Sequence, residues 1–113
     1  MKMVTALIQP DKLEAVKKSL FDADVHKMTV TSALGCGQQK GYEETFRGVI
    51  SEINLLNKIR IDVAVNEDFV ETTVEAIIGA ARTDTIGDGK IFISELAECI
   101  RIRTGERGTE AIG

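Results

Sequence analysis

Alternation of apolar and polar side chains in residues 59–65 constrains the fold of this chain more than any other feature. The large apolar side chains are Ile59, Ile61, Val63 and Val65, and small or charged residues stand between them. Because successive side chains of a strand point to opposite faces, all four lie on one face. The segment therefore predicts a strand that is buried on one face of a sheet.

Two βαβ units are predicted on either side of a long loop. The predicted elements are a strand at residues 3–8, a helix at 11–23, a strand at 28–34, a loop at 37–55, the strand at 59–65, a helix at 66–81 and a strand at 90–93. Asp11 with Glu14 resembles a capping box, and Asn66 is expected to cap the second helix. The helical stripes expected to be buried are Leu13, Val16, Leu20 and Phe21, then Val70, Val74, Ile77, Ile78 and Ala81.

This order of elements predicts an α+β fold of the ferredoxin-like βαββαβ type in a single domain, residues 1–113. Its antiparallel sheet has both helices on one face, and residues 104–113 form a C-terminal tail. The other face has no helix to cover its apolar side chains, so we expect a partner chain there.

Composition narrows the classes of function. The 113 residues include 14 Lys plus Arg and 18 Asp plus Glu, and 4% are aromatic. A net charge of -4 and few stacking side chains disfavour a nucleic-acid partner. No apolar run is long enough to insert into a membrane, and the sequence starts without a leader pattern, so we expect a cytoplasmic protein. Cys36 and Cys99 are expected to be two buried free thiols.

Residues 83–90, with the sequence TDTIGDGK, are the first candidate for a ligand-binding site. Gly87, Gly89 and Lys90 come together just before a strand, which suits a backbone cradle for phosphate, although Gly-Asp-Gly is also an ordinary turn. Arg101 and Arg103 alternate with isoleucines, so an extended segment would point both guanidinium groups to one side, where they could bind phosphate. The alternative is a solvated strand face.

The strings TDTIGDGKIFI at residues 83–93, IRIRTGERG at 100–108 and GCGQQKG at 35–41 resemble the signature of the PII signal-transduction family. The resemblance covers nearly the whole chain. It implies the ferredoxin-like fold, a homotrimer and nucleotide sites in the clefts between subunits. It also implies the non-uridylylated type, because Ser51 stands at the position of the modified tyrosine and Tyr42 lies elsewhere.

The resemblance implies that the chain binds ATP or ADP. The implied nucleotide residues are Thr29, Gly35, Gly37, Gln38, Gln39, Asp62, Ala64, Gly87, Asp88, Gly89, Lys90, Arg101 and Arg103. Residues 87–90 and the two arginines would hold the phosphates, whereas Thr29 and Asp62 of the neighbouring subunit would contact adenosine. Gln38 replaces a common arginine, which would remove one charge-assisted hydrogen bond to phosphate.

The resemblance also implies a site for 2-oxoglutarate at Gln39, Lys40, Gly41 and Lys58. The ammonium group of Lys58 would pair with the distal carboxylate of the acid. Gln39 would help to hold Mg²⁺ between the acid and the phosphates, which suits a hard cation with oxygen ligands.

Phe46, Arg47 and Gly48 are the implied contacts with a partner. Arg47 matches the residue that enters the channel in members that bind ammonium channels, and its alternative is a solvated loop charge. The expected partner is such a membrane transporter or a metabolic enzyme.

We expect a nitrogen-regulatory signal transducer, not an enzyme, in which bound ligands bias the conformation of the loop at residues 37–55. One alternative is a divergent adenine-nucleotide sensor without a 2-oxoglutarate response, which controls another transporter or enzyme. The other is a small enzyme of phosphoryl chemistry, in which Asp88 would activate water.

Overall fold

The computed structural model describes residues 1–36 and 55–113, together with the backbone pairing of residues 45–46 with 49–50. Within these residues the strands are β1 (Lys2–Ile8), β2 (Thr29–Gly35), β3 (Thr45–Phe46), β4 (Val49–Ile50), β5 (Leu56–Val65) and β6 (Gly89–Glu95). The helices are α1 (Leu13–Asp22), α2 (Val70–Ala81) and α3 (Thr109–Ile112), and 3₁₀ turns at Pro10–Lys12 and Glu67–Phe69 precede α1 and α2. The predicted strands and the first two helices are therefore confirmed.

Four of these strands form one antiparallel sheet in the order β2-β5-β1-β6. The two central strands are β1 and β5, and the clear alternation at residues 59–65 lies on the second of these. The short pair of β3 with β4 lies within the segment that was predicted to be a loop. This topology confirms the ferredoxin-like prediction.

The core lies between the two helices and one face of the sheet. Its buried apolar residues are Val4, Ala6, Ile8, Val16, Leu20, Val25, Ile61, Val63, Val65, Val70, Ile77 and Ala81. The alternation predicted for residues 59–65 is confirmed, because Ile61, Val63 and Val65 are buried and the residues between them are more exposed. Burial of each large aliphatic side chain stabilises the fold by roughly 1.5–3 kcal/mol.

Neither α1 nor α2 covers the other face of the sheet, whereas residues of the short α3 lie beside Thr29, Asp62 and Ala64 on this face. A row of side chains crosses this uncovered face in register: Thr29, Asp62, Thr5 and Phe92. Phe92 is 52% exposed. The homotrimer that would cover such a face remains a prediction.

Both predicted helix caps are wrong. Each helix is preceded by a 3₁₀ turn, so the N-cap of α1 is Lys12 and not Asp11, and the N-cap of α2 is Phe69 and not Asn66. Asn66 stands before the 3₁₀ turn and makes no side-chain cap there. The Asn66 amide instead donates to the carbonyl oxygen of Thr109 at 3.3 Å, because the C-terminal tail lies beside this turn.

Three further predictions about burial are corrected. Phe21 is 61% exposed and stacks on His26, with 4.3 Å between the ring centroids. Leu13, Val74 and Ile78 are only half-buried. Thr73 is fully buried, and its hydroxyl is satisfied there because it donates to the Phe69 carbonyl at 2.7 Å. Cys36 is exposed beyond the end of β2, and Cys99 is half-buried.

In the ranges 1–36 and 55–113, no helix is long and apolar enough to cross a membrane.

Candidate functional site

The glycine-rich loop before β6 adopts a backbone that depends on glycine. Positive φ angles occur at Asp84 (64°), Gly87 (102°) and Gly89 (112°). A Cβ atom on Gly89 would lie 1.8 Å from the carbonyl oxygen of Leu7, where β6 begins to pair with β1. Gly89 is therefore required both by its φ angle and by the close approach of the two backbones.

Asp88 holds this loop together. Its Oδ2 accepts hydrogen bonds from the backbone N–H groups of Thr83 at 2.7 Å and Asp84 at 2.9 Å, and its Oδ1 accepts from the Thr83 hydroxyl. The bonds from Thr83 are the main reason why the pKa of Asp88 is lowered, and they outweigh desolvation. The carboxylate is thus occupied within the loop and is a weak base, which does not favour activation of water.

Lys58 and Gln9 meet at the carbonyl oxygen of Gly87. Lys58 Nζ donates to it at 3.0 Å and Gln9 Nε2 at 2.5 Å. Gly35 also lies here, because a Cβ on it would be 3.6 Å from Lys58 Cγ. The structure therefore brings a predicted 2-oxoglutarate residue, Lys58, to the predicted phosphate loop. We call Gly35, Lys58 and residues 87–90 the glycine-loop group.

A second group of predicted nucleotide residues lies farther along the sheet. Thr29, Asp62 and Ala64 line a cavity of about 280 Å³, together with Ala111 and Ile112 of the C-terminal tail. In the sheet register, the row through Asp62 is three residues of β1 away from the row through Gly89. That separation is about 10 Å along the strand. We call Thr29, Asp62 and Ala64 the sheet-face group.

Asp62 is fixed by its neighbours on the uncovered face. Thr5 Oγ1 donates to its Oδ1 at 2.6 Å, and Arg60 Nε donates to its Oδ2 at 2.9 Å. Desolvation raises the pKa of Asp62, but the hydrogen bonds from Thr5 and Arg60 and the charge of Arg60 lower it by more. The side chain is 19% exposed, so an ionised carboxylate faces the cavity with a defined orientation.

The prediction that residues 100–103 are extended is wrong. Ile100 pairs with Arg107, and residues 102–104 form a turn. The Gly105 N–H closes this turn by donating to the Arg101 carbonyl at 2.7 Å, because Gly105 accepts a φ of 73°. Arg101 and Arg103 are therefore not presented side by side as on a strand.

Arg101 contacts the C-terminal tail in the described part of the chain. Its Nη1 pairs with Glu106 Oε1 at 2.6 Å, and its Nη2 donates to the carbonyl oxygen of Glu110 at 2.9 Å. Since Ala111 follows Glu110 and lines the cavity of the sheet-face group, Arg101 lies on the side of that group. Arg103 is exposed.

Several predicted residues lie outside the described residues. They are the nucleotide residues Gly37, Gln38 and Gln39, the 2-oxoglutarate residues Lys40 and Gly41, and the partner contacts Arg47 and Gly48. For Phe46 the description is limited to its backbone pairing with Val49.

Magnesium has one predicted protein ligand, Gln39, which is among these residues. Among the described residues, no three His, Cys, Asp or Glu side chains cluster as metal ligands.

Sequence patterns missed Gln9, Thr5 and Thr83, although each holds a predicted site residue. Gln9 contacts Gly87 across 78 positions, and Thr5 contacts Asp62 across 57. Their signal is the register of β1 between β5 and β6, which only the assembled sheet supplies. Thr83 had a local signal, since a threonine five residues before an aspartate in a turn can donate to its carboxylate.

The sequence is similar to known proteins along nearly its whole length. It matches the family model described as nitrogen regulatory protein P-II over residues 1–106. It is 49% identical over 112 residues to the nitrogen regulatory protein P-II of Cereibacter sphaeroides, which covers 99% of this chain and 100% of that protein. It is 50% identical over 112 residues to nitrogen regulatory protein P-II 2 of Methanothermobacter thermautotrophicus, with 99% and 97% covered. It is also 50% identical over 114 residues to nitrogen regulatory protein GlnK1 of Methanosarcina mazei, with 99% and 97% covered.

Proposed function

This chain belongs to the nitrogen regulatory protein P-II family, and from that premise we propose that it is a signal transducer that binds ATP or ADP and, with Mg²⁺, 2-oxoglutarate. The bound ligands would set the conformation of the segment at residues 37–55, which contacts the partner. The relatives are named as regulatory proteins, and the chain is accordingly a regulator and not an enzyme.

The contact between Lys58 Nζ and the Gly87 carbonyl supports this proposal most directly. This hydrogen bond joins the lysine that is proposed to bind 2-oxoglutarate to the loop that is proposed to bind the phosphates, although the loop lies 29 positions later in the chain. An acid bound at Lys58 would lie beside the nucleotide phosphates, and Gln39 would help to hold Mg²⁺, which would offset the negative charge of the two ligands. Binding of the acid would then depend on bound nucleotide.

The two residue groups suggest that each nucleotide site is shared between subunits. The glycine-loop group has the lysines and the backbone cradle for phosphates, and the sheet-face group has an ionised carboxylate suited to ribose or adenine donors. Their separation along β1 leaves each group as part of a site. In a homotrimer, the glycine-loop group of one subunit would face the sheet-face group of its neighbour.

The proposed partner is an ammonium channel or a nitrogen-metabolism enzyme. Arg47 and its neighbours Phe46 and Gly48 would make the contact, since a planar guanidinium on a long stem can block a narrow polar vestibule. One relative is named GlnK1, a nitrogen regulatory protein. We also propose a cytoplasmic location.

The second candidate is an adenine-nucleotide sensor without a 2-oxoglutarate response. Gln38 supports it, because the loss of an arginine from the phosphate site changes the balance between ATP and ADP. The enzyme alternative is weaker, since the lowered pKa of Asp88 does not suit a general base.

Calorimetric titration with ATP and ADP tests the nucleotide part of the proposal. We expect the wild-type protein to bind both, and Lys90→Ala to bind ATP about tenfold or more weakly, because a charge-assisted bond is worth about 1.5–3 kcal/mol. Lys17→Ala is the matched control, since Lys17 is exposed on α1 and pairs with Glu14. No binding of either nucleotide by the wild type would contradict the proposal.

Mixed assemblies test whether the site is shared. Lys90→Ala damages the glycine-loop group and Asp62→Ala damages the sheet-face group. If a site needs one group from each of two subunits, a co-purified mixture of these two variants contains some intact sites and regains strong ATP binding. If both groups came from one subunit, no mixture would regain it.

A further inference from the structure

The C-terminal tail offers an acidic side chain to the arginine proposed to bind phosphate. We propose that Glu106 competes with nucleotide phosphates for Arg101, so that the tail lowers nucleotide affinity and is displaced when nucleotide binds. This inference rests on the proposed function and names a regulatory residue of the same site.

The contacts of Arg101 are the first argument. Glu106 Oε1 lies 2.6 Å from Arg101 Nη1 and also accepts a hydrogen bond from Thr104 Oγ1 at 2.8 Å. The backbones join the same residues, because the Arg101 N–H donates to the Glu106 carbonyl at 2.9 Å. The carboxylate is therefore held in place by the turn and satisfies one side of the guanidinium.

The N–H groups of Arg101 that are engaged in this way have to exchange partners before they can bind phosphate. Carboxylate and phosphate both match the donor geometry of arginine, so they are alternative partners for the same N–H groups. The Arg101 side chain is 28% exposed and that of Glu106 is 41% exposed. Water can therefore enter, and exchange needs no unfolding of the core.

The position of the tail is the second, independent argument. Ala111 and Ile112 line the cavity that contains Thr29, Asp62 and Ala64, the residues proposed to contact adenosine. Arg101 also ties the tail at this place, through the Glu110 carbonyl at 2.9 Å. The hydrogen bonds that hold Arg101 thus also hold apolar side chains of the tail against the proposed adenosine cavity.

Calorimetric titration of Glu106→Gln with Mg-ATP tests the proposal. The substitution keeps the size of the side chain and removes its charge, so phosphate no longer competes with a carboxylate. We expect ATP to bind about two- to fivefold more tightly than to the wild type, the range given by a partly exposed ion pair. Thermal unfolding checks that the variant remains folded.

Two matched variants isolate the role of Arg101. Glu110→Gln makes the same change of charge in the same tail, but Glu110 contacts Arg101 through its backbone carbonyl, so we expect a smaller gain in affinity. In an Arg101→Ala background, Glu106→Gln should produce no gain. This comparison is a double-mutant cycle on the proposed competition.

The outcomes separate this inference from the proposed function. If the wild type binds ATP but Glu106→Gln binds no more tightly than Glu110→Gln, or gains as much without Arg101, the competition is wrong and the proposed function stands. If neither wild type nor Glu106→Gln binds ATP, both are wrong.

Discussion

Lys58 on β5 donates a hydrogen bond from Nζ to the carbonyl oxygen of Gly87 at 3.0 Å, although 29 positions separate the two residues. Gln9 donates to the same oxygen from the end of β1. One backbone carbonyl therefore links three segments: β5, the residue after β1 and the glycine-rich loop. A ligand that draws Lys58 away leaves Gln9 to hold the loop.

This shared acceptor predicts non-additive effects on stability. Lys58→Ala or Gln9→Ala alone should lower the free energy of unfolding by about 0.5–1.5 kcal/mol, because the remaining donor still satisfies the carbonyl. The double variant should lose more than the sum of the two, by about 0.5 kcal/mol or more. Urea unfolding at one fixed protein concentration measures all four proteins, and strict additivity would show that the two donors act independently.

Gly89→Ala is predicted to destabilise the protein strongly. The new Cβ would lie 1.8 Å from the Leu7 carbonyl oxygen, at a φ of 112°. Strain of this kind costs about 1–3 kcal/mol before the clash is counted. Thermal unfolding should show a clear fall in melting temperature.

Gly79→Ala is the matched control for this prediction. Gly79 lies within α2, and a Cβ there would meet no atom within 4 Å. Alanine is favoured over glycine in a helix by about 0.5–1 kcal/mol, so the melting temperature should rise. Equal effects of the two substitutions would refute the account of the loop.

Asp62 is predicted to make stability depend on pH in the acid range. Thr5 and Arg60 hold the pKa of Asp62 below its usual value in the folded chain despite its desolvation. Its stabilising effect is therefore complete above the unfolded-state pKa of about 3.9, and it is lost as the pH falls through the lower folded-state value.

The comparison of wild type with Asp62→Asn measures this effect. The difference in unfolding free energy between the wild type and Asp62→Asn should be constant between roughly pH 6 and pH 8, and it should shrink below about pH 4. Urea titrations at about pH 7 and pH 3 provide the two values. A difference that grew on acidification would mean that the folded chain raises the pKa instead.

Phe92 is predicted to lie in the interface between subunits. It is 52% exposed on the uncovered face of the sheet, in register with Thr5. By light scattering, the wild-type protein should have a molar mass near three times the 12.3 kDa of the chain. Phe92→Lys should lower the measured molar mass, because a trimer would have to bury the charge of the lysine in its interface.

Phe21→Lys provides the control, because Phe21 is 61% exposed on α1, away from the uncovered face. Its mass should equal that of the wild type. A wild-type mass of one chain, or no change with Phe92→Lys, would count against a trimer formed through this face.

The sequence predicted those parts of the fold that depend on local pattern. The alternation in residues 59–65 was sufficient to define β5, because a strand covered on one face leaves a clear period. The same argument failed at residues 100–103, where the alternation of isoleucine with arginine indicated a strand. Bonds from Arg101 to Glu106 and Glu110 stabilise a turn there, and the local pattern contains no trace of them.

In the candidate site, too, local patterns identified some residues, whereas contacts between distant segments could not be predicted. Gly87 and Gly89 could be selected from the sequence because tight turns need glycine. The contact of Lys58 with Gly87 and that of Thr5 with Asp62 depend on the register of three strands. The local position of Asn66 predicts a cap of α2, but its amide donates a hydrogen bond to the Thr109 carbonyl of the C-terminal tail instead. Local chemistry therefore identified residue types, and tertiary contacts decided their partners.

We propose that Lys58 binds 2-oxoglutarate only beside bound nucleotide, and calorimetric titration of the acid measures this dependence. The acid should bind to the wild type and to Lys17→Ala in the presence of Mg-ATP, and should bind neither without nucleotide nor to Lys58→Ala. Binding without nucleotide, undiminished binding to Lys58→Ala, or no binding to the wild type saturated with Mg-ATP would contradict the account.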